Sequence, residues 1–288
     1  MHVTPPSVVG RHDMMELILP LLFFFGSFAE PVDLDHDIEG SLYVVDAGRD
    51  LVVKYSPNGD SLDAVGGFGV GTEEFDHPVA IYARRGTDIF VADQNNHRIQ
   101  RFDRHLDYVT TLSTRNDPDE RIRFGYPLDV AVSRQGEILV LDGENYRVIV
   151  FNSGGEFVRS FGDITSGRGR LTAPVALELD QKDNVYVLDK GEIKVYDPFG
   201  AWLRTLPGPG GGTYHSFSIS GDSLVAQTDS LLLIYRVEEQ IVEDSTEINF
   251  SSPPSATHYH GGLLYSIGRN QIDVRKLPLS EATMLHGE

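Results

Sequence analysis

Carboxylates recur along this chain at one spacing. Asp46, Asp93, Asp142 and Asp189 each end a short apolar run, Leu42-Tyr-Val-Val-Asp46, Ile89-Phe-Val-Ala-Asp93, Ile138-Leu-Val-Leu-Asp142 and Val185-Tyr-Val-Leu-Asp189, at steps of 47, 49 and 47 by residue number. Four carboxylates at one structural position invite an acid–base reading. A residue needed once per repeat is better explained as scaffold, an aspartate that closes a strand and accepts backbone N–H bonds in the hairpin that follows. A second set follows the repeated prolines. Two positions after Pro31, Pro78, Pro127 and Pro174, and at the aligned places beyond them, stand Asp33, Ala80, Asp129, Ala176, Ser216 and Ala256. The histidines His77, His97, His215 and His258 are spread over the repeats, and His258 and His260 share a strand face with Ala256. Imidazole beside carboxylate is zinc chemistry, so Asp33, Asp129 and His258 are the candidate metal ligands.

The repeat itself says what must position these groups. A fixed period of tens of residues implies stacked units, none of which buries its own apolar face alone. Within each unit the apolar run leads to a polar hairpin and a third strand, as in Gln94-Asn-Asn-His-Arg98-Ile-Gln-Arg-Phe102 and Gly143-Glu-Asn-Tyr-Arg147-Val-Ile-Val-Phe151, and often to a fourth, as in Phe157-Val-Arg-Ser-Phe161. Short β-branched and aromatic strands between Asp, Asn and Gly turns make a four-stranded antiparallel sheet, one propeller blade. Two degenerate units follow, His215–Ile219 with Leu224–Gln227 and Leu231–Tyr235, then Ala256–His260 with Leu263–Ile267 and Gln271–Val274. They lack the proline, and Thr228 and Gly268 replace the aspartate. The expected fold is all-β, a six-bladed β-propeller of four-stranded antiparallel blades.

The pattern Pro, apolar strand, Tyr-Val-x-Asp, then Asn-x-Arg-Ile-x-x-Phe resembles the NHL repeat family, with Gln94–Phe102 its closest match, over about residues 28 to 277. The resemblance implies two kinds of function. One is a binding scaffold. The other is enzymatic, since propeller families similar to this one include peptidyl-hydroxyglycine lyases, with zinc held by histidines of separate blades, and gluconolactonase-type lactonases, with a divalent metal at the axis. Here His97 lies in an outer hairpin and His77 precedes its proline where another blade has Tyr126, so three inward histidines do not assemble.

Bulk properties narrow the choice. The formal charge of -19, from 43 acidic against 24 basic residues, repels phosphate backbones, and the basic spots at Arg84-Arg85, Arg101 with Arg104, and Arg121 with Arg123 read as solvated loop charges, so no nucleic-acid partner is expected. With no cysteine there is no disulfide, thiol nucleophile or thiolate metal site. Gly208-Pro-Gly-Gly-Gly212 lacks a Lys-Ser/Thr continuation and is a connector rather than a phosphate cradle.

Residues 1–29 have two readings. Leu17–Phe25 followed by Ser27-Phe28-Ala29 has the form of an export signal with a small-residue cleavage site, too short to span a bilayer. The same stretch could instead supply the outer strand of the last blade and close the ring. Export to the periplasm, cell envelope or medium is favoured over the cytoplasm, with no membrane span in the mature protein. The propeller then runs over 28–288 as a monomer. The leading functional reading is a non-catalytic scaffold for a protein, peptide or glycan, with His77, Arg123, Phe124 and Tyr126 as rim contacts just before inner strands. No cofactor is expected on this reading. The alternative is a metal-dependent lyase or lactonase holding calcium or zinc at the axis.

Overall fold

The structure is a computed structural model that describes residues 21–84, 88–237, 254 and 256–277, with the backbone alone at 242–247. Its strands form six sheets of four, each antiparallel between sequence neighbours except at one place. Blade one consists of Pro31–His36, Leu42–Asp46, Leu51–Tyr55 and Ser61–Gly66 from the inside out. The burial gradient explains the sequence pattern. The second strands are buried at every position in blades one, three and four because neighbouring blades cover both faces, hence continuous apolar runs, whereas the outer strand Ser61–Gly66 faces solvent. Tyr43, Tyr186, Tyr196, Phe102 and Phe151 fill the spaces between blades.

Turn chemistry sets the register. Asp37, Asp103, Asn152, Asp180 and Asp197 each accept N–H bonds from the residues two and four places on, which folds the hairpins at one end of the ring. In blades one to four the inner strand starts on a proline, and the pairing register shifts between that proline and the residue two places on. Proline has no N–H to give the ladder, so it stands at the strand start, and the bulge follows it.

The exception to sequential pairing lies in blade six. Leu21–Phe25 pairs antiparallel with Ile272–Lys276 and occupies the outer place of that sheet, so both ends of the described chain build one blade. Phe25 and Phe28 then pack on Tyr55 of blade one, with ring centroids 4.9 and 5.9 Å apart. Residues 1–20, on which much of the export reading rests, lie outside the described residues. Among the described residues no helix is long and apolar enough to cross a membrane.

Candidate functional site

The repeated aspartates are clamps. They reach back to the loop that enters their blade: Asp46 accepts the N–H of Ala29 and Glu30, Asp93 that of Asp76, Asp142 that of Gly125, and Asp189 those of Thr172 and Ala173. Asp142 also accepts from its own hairpin, at Glu144 and Asn145. Each pairs with a cation just downstream, Arg49 at 3.2 Å, Arg98 at 2.7 Å, Arg147 at 3.1 Å and Lys194 at 2.7 Å. Arg98 and Arg147 go on to donate to carbonyls of the entering loop. Asn96 and Asn145 donate to the same carboxylates, which is the physical content of the Asn-x-Arg spacing.

The inner strands enclose an axial cavity of about 220 Å³, lined from Val32, Val79, Leu128 and Val175 at the strand starts down to Asp35, Glu178, His258 and Arg84. Its carboxylates staple blades in pairs. Asp33 accepts the N–H of Ile81 at 2.8 Å and Asp129 that of Leu177 at 2.6 Å, joining blades one to two and three to four. Ser218 does the same from blade five to the N–H of Tyr259 at 3.1 Å, beside Ser216, whose hydroxyl meets that of Thr257 at 2.9 Å. The even blades carry Ala80, Ala176 and Ala256 opposite, where small residues leave room. Burial pushes the Asp33 carboxyl up to about 8, against the bond from Ile81 and with the charge of Asp35 adding to it. Burial, and then the charge of Asp33, raises Asp129 well above the usual carboxylate range.

Arg84 spans the far end of this cavity. Its Nε donates to Asp35 at 2.7 Å, its two Nη atoms to Glu178 at 2.5 and 2.6 Å, and Nη1 to the carbonyl of Ile219 at 3.0 Å, while Nη2 lies 3.4 Å from His258 Nδ1. One side chain from blade two thus touches blades one, four, five and six. This corrects the expectation of a solvated loop charge at Arg84. Burial works against ionisation of Asp35, but Arg84 and the adjacent imidazoles outweigh it and hold that carboxyl below the usual range. For Glu178 burial prevails over Arg84 and the carboxyl is raised.

Beside Arg84, at the seam between blades six and one, the imidazoles of His36 and His258 meet at 2.9 Å, and His260 stacks on His36 with centroids 3.4 Å apart. Burial, with Arg84 adding, lowers His258 well below the ordinary imidazole range, and burial lowers His260 to about 4. Asp35, His36 and His258 are the cluster with metal-ligand spacing among the described residues. Of the ligands expected from sequence, His258 belongs to it, while Asp33 and Asp129 are outside it and bonded to amides. The sequence does not single out His36 or Glu178, and it offers Arg84 only as a loop charge. Glu178 could have been found by strand parity, two places after Ala176, and Arg84 by its place six after Pro78, but neither spacing says that a side chain crosses the ring.

The rim residues divide. Tyr126 is 45% exposed and stands edge-on to His97 at 4.5 Å, with Arg115 6.0 Å over its ring. Tyr126, His77, His97 and Tyr146 all hold positive φ, at 50°, 57°, 51° and 51°, and Asp50 does so at 53°; the first two precede the blade proline and the others follow the repeated aspartate by four places, so the left-handed turn belongs to the repeat. His77 is half-buried and its N–H is bonded to Asp50. Arg123 is taken up by the Asp117 carbonyl and Glu120. Phe124 is a correction: it is 1% exposed and packs against Phe151, so it plugs the core and offers no surface to a ligand.

Comparison with known proteins agrees with this architecture. A family model described as NHL repeat matches residues 124–151. Over 126 residues the chain is 32% identical to Protein brain tumor of Drosophila melanogaster, a match that covers 43% of this chain and 12% of that much longer relative. Among solved structures, a virginiamycin B lyase from Staphylococcus aureus superposes with a TM-score of 0.61 at 11% identity, covering 87% of this chain and 96% of that one. A streptogramin B lyase does so with a TM-score of 0.62 at 12% identity, covering 90% and 88%. Identities this low carry the fold alone.

Proposed function

We propose that this chain, an NHL-repeat six-bladed β-propeller, is a binding scaffold without catalytic chemistry of its own, and that it presents the face formed by the blade-entering loops to a protein or peptide. The observation that carries this is the distribution of exposed apolar side chains. Of the exposed large apolar side chains at the two ends of the ring, Phe68, Val70, Tyr126, Tyr146, Ile164 and Val175 are on that face, against Ile38 and Phe199 on the opposite one among the described residues; the others, such as Leu62, Val109 and Phe157, lie on outer strands around the circumference. Exposed apolar groups gathered on one side of a rigid frame mark interaction surfaces. Loop side chains such as Val70 and Ile164 are matched by apolar side chains of a polypeptide, whereas glycan hydroxyls would lose water there without gaining partners. The charge of -19 disfavours polyanions.

The lyase or lactonase reading needs metal ligands open to a substrate. Asp33 and Asp129 are spent on backbone amides, and Asp35, His36 and His258 are 1%, 8% and 4% exposed, with Arg84 bonded to Asp35. The scaffold reading is therefore the stronger. Its test is site-specific photocrosslinking with benzoylphenylalanine in place of Tyr146 or, on the opposite face, Phe199. The expected outcome is one discrete protein adduct from position 146 and none from 199, with affinity of the purified partner falling at least about tenfold in a Tyr126→Ala, Tyr146→Ala double variant at unchanged Tm. Equal labelling from both faces, or full affinity in the double variant, rejects it.

A further inference from the structure

The three polar atoms at the ring-closing seam stand at separations that an ion would choose. His36 Nδ1 and His258 Nε2 are 2.9 Å apart, and Asp35 Oδ1 lies 3.4 Å from the first and 3.6 Å from the second. A point equidistant from the corners of that triangle is about 1.9 Å from each, so an ion slightly out of its plane sits about 2.0–2.1 Å from all three, the length of zinc bonds to imidazole nitrogen and carboxylate oxygen. We propose that Asp35, His36 and His258 form a zinc site that clasps the first blade to the last.

The surroundings suit a structural ion. Asp35 is held at Oδ2 by the N–H of Ala83 at 2.8 Å and at Oδ1 by Arg84 Nε, and the ring of His36 is fixed by its stack on His260. Two imidazoles and one carboxylate favour zinc over calcium, which asks for six to eight oxygens. Three protein ligands leave the fourth position to a solvent oxygen, and the burial of all three closes that position to a substrate, so the ion acts as a clasp. In the metal-free state one of the two facing nitrogens carries the hydrogen of the 2.9 Å contact. Binding moves that hydrogen to the far nitrogen of the same ring, with no net proton released. If the ring is His258, the hydrogen arrives at Nδ1, 3.4 Å from Arg84 Nη2, so the guanidinium must draw back, and Arg84 tunes the affinity.

The test uses the full chain, stripped with chelator, dialysed, and titrated with zinc chloride and in parallel with cobalt chloride. The expected results are one zinc per chain, visible d–d bands of a tetrahedral cobalt site, and a Tm higher by roughly 5–10 °C when zinc is a thousandfold above its Kd. His36→Ala should lose both the stoichiometric site and the Tm gain, and His215→Ala, on an exposed histidine paired with Asp229, should keep both. Absence of a one-to-one zinc complex in the wild type, or an unchanged complex in His36→Ala, overturns the proposal. Should His36→Ala not fold, His36→Gln and the wild-type cobalt spectrum decide in its place. The outcome is independent of the binding face, whose residues lie elsewhere.

Discussion

Blades one to four and blades five and six do the same architectural job with different polar chemistry. In the first four, one buried carboxylate per blade gathers the entering loop and a downstream Arg or Lys into a single knot, as Asp93 does with Asp76, Asn96 and Arg98. In the last two, Thr228 and Gly268 stand in that place; Thr228 accepts the N–H of Leu231 in its own hairpin, and the loop entering blade five is held by the His215 N–H on the Gln227 carbonyl and by the Tyr214 hydroxyl against that of Tyr235. The difference shows that the fold needs an acceptor at each joint rather than a charge. A charged joint, however, makes its blade depend on one residue, because removing half of a buried ion pair strands the other half.

The largest expected effect breaks the comparison on the charged side. Asp142 is fully buried and satisfies Gly125, Asn145 and Arg147. Asp142→Ala should cost about 3–5 kcal/mol in urea unfolding, since Arg147 is left buried without its partner. Asp46→Ala should cost less, because its partner Arg49 is half exposed and can turn to water. Equal losses at the two positions would mean that loop N–H bonds, not the ion pair, carry the knot.

A gain is expected on the neutral side. Val45, Ala92, Leu141 and Leu188 face the inner strand in blades one to four, and blade five has Gln227 at that place, 1% exposed and with neither amide atom partnered among the described residues. An unsatisfied buried amide costs about 1–3 kcal/mol, so Gln227→Leu should stabilise the chain by that order. Thermal melts read it directly. A loss instead would show that the amide is satisfied from outside the described residues.

The same contrast explains what was legible in the sequence. Blades one to four announce themselves because the knot uses fixed residue types at fixed offsets, Pro, Asp, Asn and Arg, and the family resemblance rests on those residues. Blades five and six keep only the strand alternation, since Ser, Thr and Tyr joints have no obligatory spacing. The axial ring at Asp33, Ala80, Asp129, Ala176, Ser216 and Ala256 was readable from strand parity alone. The use of its carboxylates as staples to the next blade was not, because the acceptor and its N–H partner are 48 residues apart. Arg84 shows the limit most sharply: a double arginine after a strand reads as a solvated turn, and only closure of the ring brings Asp35, Glu178 and Ile219 within its reach.

A pH-dependent effect sharpens the comparison within the axis, where Asp33 of blade one and Ser216 of blade five hold equivalent places. Burial raises the folded-state value of Asp33 to about 8, far above an ordinary aspartate, so the folded chain holds a proton that the unfolded chain has released. The unfolded state then binds fewer protons between about pH 4 and 8, and this group's contribution to stability is complete below pH 4 and lost as the pH rises towards 8. Asp33→Asn keeps an oxygen for the Ile81 N–H and carries no charge, like the serine of blade five. It should flatten the decline in stability over pH 5–8, with its gain over wild type larger at pH 8 than at pH 5, as measured by urea unfolding across that range. A parallel profile for the two proteins would show that Asp33 is ionised in the folded cavity and that solvent or a bound cation compensates it there.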